Sequence, residues 1–367
     1  MLGGIRAVRT LAVTLLLLAP SVTAQAAEKS WDETLAAAKK EGKVVVAGAP
    51  DPVMRNEVIP AFTKRYGIEV DYVAGRSGNI VERVKIERAS GVYSMDAYLP
   101  GSDTMFNVLY PEKMIDPLKP MLVLPEVIDP SKWKKGKLWF MDPEEQYALR
   151  LFNSVDSLLF INTDHVKPEE MTEVQHLLNP KWRGKISTED PRLDSGNGGN
   201  TAARFYKQLG PDFVKALYID QKPVVSRDRR QFSDWLARGS HPVCLSCRED
   251  DLRGLRQDGF KFLKVYNLKG LVTSVNASPF LVAVANKAPH PNAARVFLNW
   301  LAGKEALQIY SRGFGAATLR TDVDESFLDP RLIPDPHLEY SDTADPNWRS
   351  AEKLEITKKI GQLLKGQ

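Results

Sequence analysis

Lys43-Val-Val-Val-Ala-Gly48 is a short, unbroken apolar run whose reading decides the fold. It is rich in a β-branched residue and is stopped by Gly48 and Pro50, which predicts a strand buried on both faces. Just upstream, Ser30-Trp-Asp-Glu33 is a capping box for a helix over 31–40, which Gly42 ends. Downstream the same unit recurs: loop 49–51, helix 53–66, strand 68–73, loop 75–79, helix 80–89, strand 95–99 and loop 101–104, which opens another helix. Three β-loop-α repeats predict an open, mostly parallel α/β sheet. Ligands of such sheets gather at the loops beyond the carboxyl ends of the strands. Asp51, Arg76, Ser77, Ser102 and Asp103 are the polar candidates in those loops.

A proline-rich stretch, 111–147, reads as a surface excursion, and the apolar extended stretch 149–161 suits a crossing between two lobes. A second α/β series follows. It comprises strand 185–188, the small-residue loop Ser195-Gly-Asn-Gly-Gly-Asn200, helices 201–209 and 212–218, strand 224–225, helix 231–237 and strand 243–246. Helix 250–257, strand 262–266 and a return strand 280–285 complete it, before amphipathic helices at 291–301 and 348–364. The loop at 195–200 precedes a helix, so its backbone N–H groups and the helix dipole favour an anionic group there. Ser195, Asn197, Gly198 and Asn200 are its candidates. Arg229, like Arg76 and Arg227, stands at or before a predicted helix start, where a guanidinium can clamp a carboxylate or phosphate.

The chain has 367 residues, 43% hydrophobic and 26% charged, with 50 Lys and Arg against 46 Asp and Glu. That length and composition fit two globular lobes and exclude a disordered chain or a disulfide-dense miniprotein. Residues 1–26 read as a signal peptide: Arg6 and Arg9, the apolar run 11–19, and Ala24-Gln25-Ala26 as the cleavage motif. Removing them takes two arginines and no acid, leaving 48 basic against 46 acidic side chains. With that balance and no basic stripe, no nucleic-acid partner is expected. The reading is of an exported, soluble protein with the periplasm as its location.

Catalytic patterns fail on inspection. Gly75-Arg-Ser77-Gly78-Asn79 is out of register with a nucleophile elbow, and the five histidines show no paired helical spacing. Neither a P-loop nor a dinucleotide fingerprint is present, so no cofactor is expected. Cys244 and Cys247 form the only CxxC. The residues leave open a local disulfide, two free thiols, a thiol-disulfide catalyst or half a metal site. The acidic 249–251 stretch disfavours the thiolate that redox catalysis needs.

Several segments together resemble one family. Asn162-Thr-Asp-His-Val-Lys-Pro-Glu-Glu170, Leu177-Leu-Asn-Pro-Lys-Trp-Arg-Gly-Lys-Ile186, Asp190-Pro-Arg192 and the stretch 287–301 are similar to extracellular solute-binding proteins of ABC importers. The subgroup is that of ferric-iron, thiamine and phosphonate binders. The resemblance implies a two-lobe type II periplasmic binding protein, each lobe a mostly parallel sheet flanked by helices, with the ligand in the cleft between lobes. It implies lobes at 27–153 plus 286–367 and at 154–285, with hinge strands near 151–161 and 280–285. It further implies a small-molecule solute, a membrane permease as partner, a monomer and no enzyme activity. Ferric binders of this kind carry adjacent tyrosines after the strand matching 242–246. Here that place reads Cys247-Arg248-Glu249-Asp250. The expected ligand is therefore a small anionic or zwitterionic organic solute, with ferric iron and a thiol-disulfide enzyme as the alternatives.

Overall fold

A computed structural model describes residues 30–193, 196–348 and 352–365, together with Met1. The signal reading of 1–26 and the candidate Ser195 lie outside the described residues. The capping box forms as written: the Ser30 hydroxyl accepts from the Glu33 amide at 3.3 Å, and the Glu33 carboxylate accepts from the Ser30 amide at 2.9 Å. The helix Trp31–Glu41 follows and ends at Gly42 with φ 77°, a conformation that favours glycine.

Strand Lys43–Gly48 lies second from one edge of the first sheet, with Glu69–Ala74 and Ala97–Leu99 parallel on either side. Leu281–Ala285 joins antiparallel beside Ala97–Leu99, and Leu149–Arg150 and Trp139–Phe140 extend that edge. Burial on both faces explains the unbroken apolar run. Val44 and Val46 pack with Phe62, Phe297 and Trp300 on one face. Val45 and Ala47 pack with Val84, Met105 and Leu109 on the other.

The proline-rich stretch is not a surface excursion. Leu118, Leu122, Val127, Trp133 and Phe140 are buried in the first core. Its prolines open short turns, Pro125–Ile128 and Pro130–Lys132, between which the apolar side chains tuck inward. Arg320 fastens the stretch from behind. Its fully buried guanidinium lies 5.4 Å from the Trp133 ring, donates to the carbonyls of Glu126 and Ala302, and forms a two-pronged pair with Asp322 at 2.8 and 2.9 Å.

The second sheet runs Val224–Val225, Ile186–Thr188, Val243–Cys244, Leu159–Asn162 and Phe262–Val265. The first three strands are parallel, and Leu159–Asn162 opposes its two neighbours. The small-residue loop expected at 195–200 is instead the opening of helix Gly196–Lys215. At Gly210 the backbone is non-helical, φ 84° and ψ 176°, and Pro211 follows, so the segment divides there into two helices as expected.

The chain crosses between the sheets twice, from Arg150 to Leu159 and from Val265 to Leu281. A small sheet of Ser154–Val155, Ser274–Asn276 and Ser341–Asp342 ties the crossings together. Arg150, almost wholly buried, anchors this junction by donating to the Phe152 carbonyl and pairing with Asp342. Helices Pro291–Leu301 and Lys304–Phe314 cover the first core. The terminal helix Lys353–Leu363, grouped with the first lobe by sequence order, sits on the second: Ile356 and Ile360 bury against Ala202 and Phe205. Among the described residues no helix is long and apolar enough to cross a membrane.

Candidate functional site

The parallel strands Lys43–Gly48, Glu69–Ala74 and Ala97–Leu99 bring their carboxyl ends together, and Asp51, Arg76, Ser77, Ser102 and Asp103 follow them in the chain. Several are already engaged. Asp51 caps the following helix, accepting from the amides of Val53 and Met54 at 2.9 and 3.0 Å and from the Tyr310 hydroxyl. Asp103 accepts from Lys353 Nζ at 3.1 Å, an ion pair that joins the first lobe to the terminal helix on the second. Arg229, the first residue of helix Arg229–Ala237, is held by both oxygens of Asp251 at 2.8 Å. Ser102 is half-buried beside Asp103. Arg76 and Ser77 are exposed at the start of helix Ser77–Ala89.

The glycine-rich segment serves the chain itself. Glu189 reaches over the opening turn of helix Gly196–Lys215 and accepts from the Gly198 amide at 3.0 Å. Its carboxylate thus takes the place at the helix dipole that an anionic ligand was expected to fill. A Cβ at Gly198 would lie 2.6 Å from the Glu189 carbonyl oxygen, and one at Gly199 would run into the Leu193 carbonyl. Close packing of helix on loop requires the small residues. Asn197 and Asn200 are half-buried on the same turns.

Two cations on the second lobe were missed. Arg248 follows strand Val243–Cys244 and stands at the N-cap of helix Glu249–Gln257. Its Nε is shut off from solvent with no hydrogen-bond partner, and the side chain makes no ion pair among the described residues. A buried donor without an acceptor is costly, which makes Arg248 Nε a candidate contact for an acceptor oxygen. Lys264 is the second. It is half-buried on strand Phe262–Val265, with Nζ 5.1 Å from the Tyr266 ring and 5.9 Å from that of Phe160. Burial pushes its ammonium below the usual lysine range, against the raising influence of Glu249, Asp156 and Asp329. Its Nζ too makes no hydrogen bond or ion pair among the described residues. Of those neighbours, Asp156 lies in the first crossing and Glu249 is next to Arg248 in the chain.

Both had signals in the sequence. Arg248 falls in the Cys247–Asp250 stretch where the resemblance to ferric binders breaks down. Lys264 is a charge between Phe262 and Tyr266 at the period of two that puts all three on one strand face. Lys264 and Cys244 flank Phe160 in register across the sheet. Cys244 and Cys247 form a disulfide with S–S 2.09 Å. Both residues are buried, which suits a structural bridge and denies a substrate the access that thiol-disulfide exchange needs.

At the carboxyl ends of Lys43–Gly48 and Ala97–Leu99, the first lobe holds a small recess, about 340 Å³ when space open to solvent is counted. Ile80, Val81, Val84 and Leu109 form its walls, Tyr98 its inner side, and Ser77 and Thr104 bring hydroxyls to it. Burial pushes the Tyr98 phenol up to about 12, so this hydroxyl is neutral at physiological pH. Among the described residues no three His, Cys, Asp or Glu side chains converge as a metal cage.

A profile of the family described as bacterial extracellular solute-binding protein matches residues 43–314, well over half of the chain. Iron uptake protein A1 of Synechocystis sp. is 24% identical over 131 residues, spanning 36% of this chain and 33% of that protein. Iron-bound HitA from Pseudomonas aeruginosa superposes with a TM-score of 0.66 at 15% identity, over 87% of this chain and 99% of its own. The periplasmic binding protein AfuA from Actinobacillus pleuropneumoniae, with exogenous fructose-6-phosphate bound, gives 0.63 at 17% identity, over 89% and 100%. At these identities the structural likeness speaks for architecture alone, the two-lobe α/β fold of periplasmic binding proteins. The chain belongs to the bacterial extracellular solute-binding protein family.

Proposed function

We propose that the protein is the periplasmic solute-binding component of an ABC importer, which captures a small anionic organic solute between its lobes and presents it to a membrane permease. Family membership supports solute binding, and the signal reading of 1–26 supports export. The observation that carries the choice of an anion is the pair Arg248 and Lys264, two half-buried cations of the second lobe whose side chains make no ion pair among the described residues. A guanidinium with an unfilled donor favours a carboxylate, phosphate or phosphonate oxygen. The same charges would repel a ferric ion. The junction of two crossings suits the hinge closure by which such two-lobe proteins enclose a ligand.

Isothermal titration of the purified protein against a panel of small solutes tests this. One-to-one binding of organic anions at micromolar Kd or tighter, about −8 kcal/mol or more favourable, is the expected result. Stoichiometric ferric binding with a tyrosinate absorption band, and no organic anion bound, would overturn it.

A further inference from the structure

The cysteines of the Cys244–Cys247 bridge are three apart in sequence. A cross-link that short removes far less freedom from the unfolded chain than one closing a long loop, so global stability is not what it chiefly supplies. Its effect is local, and its surroundings are specific. Cys244 ends strand Val243–Cys244, whose parallel neighbour is Ile186–Thr188. Inside the bridged turn, the Leu245 amide donates to the Ser187 carbonyl at 2.9 Å, and the buried Ser246 hydroxyl accepts from the Glu189 amide at 2.9 Å. Glu189 in turn holds the opening of helix Gly196–Lys215 through the Gly198 amide. On the other side, Cys247 packs in one apolar cluster with Phe160, Phe262 and Leu252, the last of these on helix Glu249–Gln257. Arg248, next in the chain, is the N-cap of that helix, and its carbonyl accepts from the Leu252 amide at 3.3 Å.

We propose that the disulfide positions Arg248 for solute binding: it fixes the turn between strand and helix, and so holds the guanidinium where its unfilled Nε meets the acid group of the solute. This rests on the anion-binding reading above and deepens it. Cys244 and Cys247 touch no solute and act through Arg248. Without the bridge, the strand and the helix keep their own hydrogen bonds and apolar contacts, but the turn that joins them gains backbone freedom. An arginine contact is sensitive to such freedom, because its donors form a rigid planar fork whose direction decides whether they reach a carboxylate or phosphate oxygen. Lys264 differs: it stands on a strand paired along its length with Leu159–Asn162, so the sheet holds it and the bridge does not. A protein exported to an oxidising compartment keeps such a bridge closed.

Isothermal titration with inorganic phosphate, methylphosphonate and succinate, on the parent and on the Cys244→Ala/Cys247→Ala variant, tests the inference together with amide hydrogen exchange. The variant is expected to bind the anion that the parent binds best about tenfold more weakly per folded molecule, the scale of one hydrogen bond to a charged group. In an Arg248→Ala background, removing the bridge should add no further loss, because bridge and guanidinium act as one unit. Exchange at the Glu189 amide should quicken about tenfold without the bridge, while the amides of Val44 and Val46 in the first sheet keep their parental rates. Thermal melts follow folding, and Cys244→Val/Cys247→Ala, which refills the buried Cys244 site, takes the place of the double alanine if that does not fold. Unchanged affinity in a folded variant without the bridge, or a loss of the same size with and without Arg248, would overturn the inference and leave the anion reading standing. Failure of the parent to bind these three anions or any anion of a broader solute panel would overturn both.

Discussion

Alanine at Gly199 is expected to lower the unfolding free energy by about 3 kcal/mol, at the upper end of what overpacking costs. The added methyl would meet the backbone carbonyl of Leu193, which cannot swing aside as a side chain can. The neighbouring glycines are under similar pressure. Gly198 packs against the Glu189 backbone, and Gly196 has φ +84°, which strains any residue with a Cβ. Urea unfolding at constant temperature measures the effect as a shift in midpoint with unchanged slope. Solute affinity per folded molecule should stay within severalfold of the parent. The reverse pattern, full stability with binding lost, would return the segment to the role of ligand cradle.

Asp322→Ala should cost about 3–5 kcal/mol, because it strips the counter-charge from a buried guanidinium. Arg320 would keep its bonds to the carbonyls of Glu126 and Ala302 but hold an uncompensated charge against Trp133. The Arg320 hydrogen bonds hold the Asp322 carboxyl below the usual carboxylate range. A carboxyl depressed on folding adds stability that is fully present above the unfolded value, about 3.9, and fades as pH falls through the folded one. The parent should therefore lose part of its stability below about pH 4, and Asp322→Ala should lack that component. Equilibrium unfolding between pH 2.5 and 7 reads both effects. Equal stability of parent and variant at pH 7 would show that Arg320 does not need this partner.

Local rules made the first lobe legible. The capping box at Ser30 and the apolar run at 43–48 each depend on neighbours in sequence, and each formed where expected. The proline-rich stretch misled because proline marks turns whether or not the turn is buried, and the partner that buries it, Arg320, lies far along the chain. The terminal helix misled for the same reason: its polar face fits either lobe, and only the buried Ile356 and Ile360 against helix Gly196–Lys215 decide. At the site, small residues before a helix have two uses that sequence does not separate, close approach to a ligand and close approach to the chain itself. Arg229 and Asp103 looked available because their partners, Asp251 and Lys353, are distant in sequence. The orphaned Nε of Arg248, unmet by any acceptor among the described residues, is visible only in three dimensions.

Native mass spectrometry of the protein as purified, with collisional release of anything bound, tests the central claim most directly. The account predicts a one-to-one adduct released as an organic anion carrying a carboxylate, phosphate or phosphonate, and lost in Arg248→Ala. A ferric adduct in its place, or an organic adduct retained unchanged by Arg248→Ala and Lys264→Met, would contradict it.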